Sequence, residues 1–244
     1  MARLSRHELK EDEFVSTVES FQRFAQENSK QILTGVAAAV IVIAAVVGWR
    51  TYNERQEEGA NAALATALKT FKASVSAAPA NLFGGAQPQQ TEGQFSSDQE
   101  KYKAALRQFS QVVANYPRQK AADFARYHVG LCQEALGQDE NARKTLEAAS
   151  HSSDKETAAL ASMALAGELA KAGKDADAAK VYQGLADHPT STVPRGTALL
   201  AEADLLRSSK PAQARAIYER VGKEFSGDPY LSSTVQQQIA GLPK

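Results

Sequence analysis

Few side chains in this sequence combine a reactive type with a spacing that would make a site. His128 and Cys132 are four residues apart, so on a helix they share one face and present two ligands to a metal ion. Zinc takes three or four protein ligands, and no third stands at a matching distance along the chain. We therefore interpret both as packing residues. His151 with Asp154 and, further on, His188 fall in polar stretches typical of turns, and we expect them at the surface.

The sequence also lacks the patterns that accompany catalysis or nucleic-acid binding. It contains neither a glycine-rich phosphate loop nor a nucleophile elbow. The 28 basic residues balance the 28 acidic residues, and neither sign forms a block suited to a phosphate backbone. Cys132 is the only cysteine, which excludes an internal disulfide and a cysteine zinc knuckle. We expect a protein that is not an enzyme and has no cofactor, no metal ion and no nucleic-acid partner.

Composition indicates an all-α fold. Apolar residues make up 43% of the chain and charged residues 23%, a mixture typical of globular domains and too apolar for disorder throughout. Alanine is abundant, and runs of β-branched residues occur only between Val36 and Val47. Close-packed helices are therefore favoured over sheets.

Residues 32–49 form the most apolar segment of the chain. These eighteen positions carry no charge, nine of them are Ile, Leu or Val, and Lys30 and Arg50 flank them. At a rise of ~1.5 Å per residue they span roughly 27 Å, close to the thickness of a hydrocarbon core. Trp49 and Tyr52 stand where aromatic side chains meet lipid headgroups. We predict a single transmembrane helix here.

Two alternatives to a membrane span are a buried core helix and a cleaved signal peptide. A leader of mixed charge precedes the segment, and the nearest small-x-small site, residues 60–62, lies well beyond it, neither of which is typical of a signal peptide. Basic residues are too evenly distributed around the span to set its orientation. Because a short charged leader precedes a long C-terminal part, we expect the N-terminus in the cytosol.

Three further segments are predicted around the span. Residues 1–31 form a cytosolic leader, in which apolar residues at helical spacing indicate either an amphipathic helix or a solvated extension of the span. Residues 50–77 form a linking helix. Residues 78–97 are rich in Pro, Gly and Gln and form a loop insert, which is either a tolerated insertion or a short docking element.

One small-to-large step recurs four times in the rest of the chain. An alanine is followed four residues later by a large side chain, and the large residues recur at intervals of 37, 36 and 36 residues. The four pairs are Ala105 and Phe109, Ala142 and Leu146, Ala178 and Tyr182, and Ala214 and Tyr218. A small residue lets two helices approach, and a large one fills the space between helical pairs. Residues 98–244 are therefore predicted to form an array of helical pairs that ends in a capping helix.

The period and the small-to-large step resemble those of the tetratricopeptide family. Gly130 stands at the family's Leu-Gly place in the first helix of the second copy, and Gly137 and Gly173 stand at turns between helices. The resemblance implies an α-solenoid whose first helices line a protein-binding groove. The family's groove positions fall here on a mostly apolar set: Phe124, Tyr127, Leu131, Glu134, Leu160, Met163, Leu199, Leu206 and Arg207.

The order of leader, span, alanine-rich helix and degenerate array also resembles the YfgM-like family, the bacterial ancillary subunits of the Sec translocon. The sequence Val47-Gly48-Trp49-Arg50 at the end of the span contributes to this resemblance. It implies an inner-membrane adaptor with a periplasmic repeat domain, whose partners are translocon subunits, periplasmic chaperones or exported proteins. The alternatives are an envelope scaffold for cell division or outer-membrane assembly, and a regulator that signals through the leader.

Overall fold

The computed structural model describes residues 29–75 and 95–242. The leader up to residue 28, residues 76–94 of the predicted insert and the last two residues lie outside the described residues. The described part is helical and confirms the all-α fold class. Its helices are α1 Ser29–Phe71, α2 Asp98–Asn115, α3 Lys120–Ala135, α4 Asp139–Ser150, α5 Lys155–Lys171, α6 Asp175–Asp187, α7 Arg195–Leu206, α8 Pro211–Glu224 and α9 Pro229–Ala240.

The chain divides into two compact units, Met1–Arg55 and Gln56–Lys244. In the first unit the apolar residues of α1 are exposed on every side of the helix, with Leu33 71% and Ile41 69% exposed. None of the apolar stretch is buried within the protein, which excludes a core helix of the repeat domain. A helix that is apolar all round requires apolar surroundings. It is long and apolar enough to cross a membrane, and fits a single-pass membrane protein.

The second unit begins within α1 at Gln56. Ala60 and Ala67 are fully buried there, so cleavage after residues 60–62 would cut a helix that belongs to the folded repeat domain. The helix ends at Phe71, before residue 77, which is the predicted end of the linking helix. The Phe71 ring packs on Tyr102 at 5.6 Å between centroids, and the chain then leaves the helix for an isolated parallel bridge near residue 75.

From α2 onward each helix contacts the next one along the chain, and α3 also contacts α5. The final part of α1 pairs with α2 through shared apolar packing, and the following pairs are α3 with α4, α5 with α6, and α7 with α8. Helix α9 packs on α8 at the end of the array. The residues described thus contain four helical pairs and a terminal helix.

Glycine sets the turn inside two of the pairs. Gly137 and Gly173 have φ angles of 71° and 72°, in the left-handed region that side chains disfavour. Around Gly137 the N–H of Gln138 donates to the carbonyl of Gln133 at 2.9 Å. This bond and its counterpart after Gly173 satisfy carbonyls that the ending helix leaves free. The positions predicted as turns from the sequence are therefore turns in the structure.

All residues of the small-to-large step lie in the interior, as does Gly130. The tightest approach joins α3 to α4. A Cβ atom added at Gly130 would lie 2.6 Å from Cγ and Cδ2 of Leu146, and Leu146 is itself fully buried. Only a residue without a side chain lets these two helices come this close.

We expect Gly130→Ala to lower the free energy of unfolding by about 1–3 kcal/mol, because Leu146 has no room to move away from the added methyl group. Thermal and urea unfolding of the full chain in detergent, followed by circular dichroism, measure the change. Gly167→Ala is the matched control, since it lies within α5 with open space around its Cα, and it should stabilise by up to about 1 kcal/mol. Equal stability of Gly130→Ala and the native chain would contradict the close packing.

Candidate protein-binding face

One side of α3 carries the larger side chains of that helix. At 100° per residue, Phe124, Tyr127, Leu131 and Glu134 share a side, and all four are half-buried. The buried sides of this helix carry mostly small residues such as Ala125, together with His128. The remaining large residues are left partly at the surface.

The aromatic residues of this side surround His128. The centroids of the Phe124 and Tyr127 rings lie 4.5 and 5.0 Å from that of His128, and Phe109 and Phe71 approach at 4.9 and 5.3 Å. Nδ1 of His128 lies 3.0 Å from the carbonyl oxygen of Phe124. The neutral ring donates its Nδ1–H to that oxygen.

Burial shifts the pKa values of His128 and Cys132 in the directions expected of packing residues. Burial lowers the pKa of the His128 imidazole, and the nearby Lys72 ammonium lowers it further. The hydrogen bond to the Phe124 carbonyl acts in the opposite direction and raises the pKa. Burial raises the pKa of the Cys132 thiol to about 12, so the thiolate needed for metal binding or nucleophilic attack is not formed at neutral pH. This pair is part of the core.

The remaining polar residues singled out in the sequence serve turns. Asp154 is the N-cap of α5 and accepts hydrogen bonds from the hydroxyl of Thr157 at 2.6 Å and from its backbone N–H at 2.9 Å. The hydroxyl bond first, and then the backbone bond, lower the pKa of the Asp154 carboxyl group. His151 and His188 are exposed at the ends of α4 and α6. Within residues 29–75 and 95–242 no three His, Cys, Asp or Glu side chains come together as metal ligands.

Helix α5 continues the half-buried apolar side next to α3. Leu160 and Met163 are half-buried and pack against the larger core of the C-terminal pairs. Contacts between α3 and α5 make these two helices neighbours. We use the term front face for the surface of Phe124, Tyr127, Leu131, Leu160 and Met163.

An ion-pair network closes one end of the front face. Lys171 at the end of α5 contacts the carboxylate of Glu134 on α3 and Oε1 of Glu168 at 2.8 Å. Glu168 is only 1% exposed. The hydrogen bond to Glu134 and, second to it, the hydrogen bond to Glu168 raise the pKa of Lys171. Its ammonium group therefore stays charged. Glu134, predicted as a groove residue, thus has a structural partner that links the second helical pair to the third.

Two predicted groove residues of the last pair are core residues, and the third is bonded to the terminal helix. Leu199 and Leu206 are 1% and 7% exposed and belong to the core, because α7 is covered by α6 and α8. Arg207 is half-buried and donates to Oε1 of Gln238 on α9 at 3.1 Å, and its part in binding stays a prediction. Gln238 is itself half-buried.

The open side of α7 is formed by residues that the resemblance did not select. Thr197 and Asp204 are exposed and Leu200 is half-buried, and their spacing of three and four residues puts them on one side of the helix. Asp204 accepts a hydrogen bond from the Tyr218 hydroxyl.

Successive helical pairs, turn glycines and a small-to-large packing step define a class of protein, the α-solenoids of two-helix repeats that interact with other proteins. The chain belongs to the tetratricopeptide repeat-like domain family, whose model matches residues 22–244. Comparison with curated proteins and with solved structures returns no match. Family membership supports protein–protein interaction as the general role and a non-enzymatic scaffold as the usual type. The part of each front-face residue in binding stays a prediction.

The environment of His128 predicts a loss of stability in acid. Because its pKa in the folded chain lies below the ordinary value of about 6.5, the unfolded chain binds the proton more readily. The contribution of the neutral His128 ring to the free energy of unfolding is fully present when the pH is above the ordinary histidine pKa, and it is lost as the pH falls below that value. We expect the free energy of unfolding to drop between about pH 7.5 and pH 5.

Urea titrations of the full chain at several pH values measure this drop. His128→Gln should remove the His128-dependent part of it, and His151→Gln, at an exposed position, should leave it intact. An identical pH dependence in the native chain and in His128→Gln would show that the imidazole is not the group responsible.

Proposed function

We propose that this protein is a membrane-anchored adaptor that binds exported proteins or their chaperones beside the Sec translocon. The observation that carries the proposal is the extent of the family match. It begins at residue 22, before the apolar stretch of α1, and continues to the end of the chain. The apolar helix and the repeat domain are therefore shared together by the family, which supports a tethered binding domain over a freely diffusing one.

The chemistry of the front face supports an amphipathic or unfolded protein segment as the ligand. Its aromatic and aliphatic side chains are half-buried on two neighbouring helices, and Lys171 at its end is engaged by two carboxylates. An apolar surface with its nearby charges paired favours amphipathic or unfolded segments over a strongly charged tail. Such segments are what an exported chain presents before it folds. The link to the translocon comes from the resemblance of the chain's layout to the YfgM-like family.

Photo-crosslinking in bacterial cells tests the role of the front face. We expect benzoylphenylalanine at Tyr127 or Leu160 to capture translocon subunits, periplasmic chaperones or exported chains, identified by mass spectrometry. The control position is Glu147, which is exposed on α4. Equal capture at Glu147 would contradict the assignment of the face. Specific capture of division proteins, outer-membrane assembly proteins or a response regulator would replace the translocon with one of those partners.

The proposed location predicts that the repeat domain lies outside the cytoplasmic membrane. Glu147→Cys supplies an exposed thiol, while the native Cys132 is fully buried and does not compete for reagent. A membrane-impermeant maleimide should label Glu147→Cys in intact spheroplasts as completely as in lysed cells. Labelling that requires lysis would reverse the orientation.

A further inference from the structure

His128 lies directly behind the front face, in the core that α1, α2 and α3 share. The ring is 7% exposed, and aromatic side chains from all three helices surround it: Phe71 at the end of α1, Phe109 on α2, and Phe124 and Tyr127 on α3. Two of these neighbours, Phe124 and Tyr127, belong to the front face. The imidazole therefore supports the proposed binding surface from inside without being part of it.

The folded arrangement is built for the neutral form of this ring. The Nδ1–H donates to the carbonyl oxygen of Phe124, so a second proton adds at Nε2 and makes the ring a cation. A buried cation is stable only beside a negative partner. Attraction to the faces of neighbouring aromatic rings offsets only part of that cost.

The charged groups of α1 and α2 near the cluster do not supply a negative partner. From α1, the ammonium of Lys72 adds to burial in opposing the protonation of His128. From α2, the buried Lys101 lies over the ring of Tyr102 at 4.6 Å from its centroid. The carboxylate nearest to Lys101 is Asp98, which is paired with it at 2.7 Å. Both helices thus bring positive charge towards the cluster.

The carboxylates of α3 on either side of His128 are already engaged. Asp123 forms an ion pair at 2.8 Å with an arginine one turn further on, and Glu134 is engaged by Lys171. The other titratable side chains beside the imidazole on this helix are neutral, because burial raises the pKa of the Cys132 thiol and of the Tyr127 phenol. Among the described residues of α1 to α3, the charges around His128 therefore favour the neutral ring.

The end of α1 is the part of this enclosure that can move most easily. Phe71 is the last residue of the helix and is half-buried, and the exposed Lys72 follows it. Phe109 and Phe124, by contrast, lie inside α2 and α3, which continue on both sides of them. Displacing one helix end is a local opening that leaves the rest of the core intact. It brings water to the imidazole from the side of Phe71.

We propose that His128 switches the front face off in acid: its protonation displaces the end of α1 from α3, and Phe124 and Tyr127 lose the ring that holds them in place. Histidine suits this role because its charge changes between about pH 5 and pH 8. The switch rests on the proposed function of the front face as a site for apolar segments, and it makes binding there reversible by pH.

The rate at which the native Cys132 thiol reacts with 4,4′-dithiodipyridine measures the opening, in the full chain in nanodiscs. Cys132 is fully buried in the core that the end of α1 covers, so its reaction requires movement. The reference is the exposed thiol of Glu147→Cys in a Cys132→Ala chain. Relative to it, we expect the rate to rise about threefold to tenfold from about pH 7.5 to about pH 5.5, a range in which ordinary carboxylates stay charged.

Variants that cannot ionise identify the group responsible. His128→Phe and His128→Gln should both lose the acid-dependent rise in Cys132 reactivity, whereas His151→Gln, at an exposed position, should keep it. A rate that does not depend on low concentrations of urea marks the opening as local. A rise that persists in both His128 variants, or that has the urea dependence of global unfolding, would overturn the switch.

Binding of an unfolded chain tests the effect on the front face. The probe is rhodamine-labelled, reduced and carboxymethylated α-lactalbumin, and anisotropy gives its Kd for the full chain in nanodiscs. From about pH 7.5 to about pH 5.5 we expect Kd to rise about threefold to tenfold in the native chain and in His151→Gln, and to change by less than about twofold in His128→Phe and His128→Gln.

Two kinds of failure are distinguishable in this experiment. Absence of binding at about pH 7.5, or binding that Leu160→Glu leaves unchanged, would contradict the proposed function of the front face and the switch with it. Binding that Leu160→Glu abolishes, but that has the same pH dependence in the native chain and in both His128 variants, would overturn the switch alone. Tighter binding of the native chain in acid would overturn it as well.

Discussion

In each helical pair an alanine stands one turn before a large side chain, and both are buried. This step decides how near the second helix of a pair comes to the first, and the contact of Leu146 with Gly130 is its tightest case. Because packed interiors tolerate little added volume, the distance between α3 and α4 fixes where every following pair begins.

The same packing gives each first helix two different free sides. On α5 the front carries Leu160 and Met163, and the back carries Ala158 and Ser162. Large half-buried side chains make a surface that adapts to irregular apolar ligands, whereas small ones make a trough with a defined width. A solenoid whose helices contact mainly their neighbours can expose both kinds of surface without loss of core. The fold thus exposes two chemically distinct surfaces.

The sequence was sufficient for the parts of the fold that follow local rules. The four small-to-large steps and the glycines at 137 and 173 required only helical spacing and the backbone freedom of glycine. The sequence was insufficient where the packing of several helices determines which side of a helix is buried. Leu199 and Leu206 have the composition of groove residues and are buried because α6 and α8 cover both sides of α7. The sequence predicts a capping helix after the last pair, but helical spacing alone does not show that its Gln238 accepts a hydrogen bond from Arg207.

The buried ionisable residues show why the site could be predicted only in part. Glu134 is a groove residue by its position on α3, but Lys171, which engages it, comes from the next repeat. Lys171 also holds Glu168, whose carboxylate is almost fully enclosed, and a buried charge without its partner is strongly destabilising. Lys171 is therefore engaged by residues of the array, and the charges next to the apolar front face are already paired. In the proposed function, recognition at the front face therefore depends on shape and apolar area.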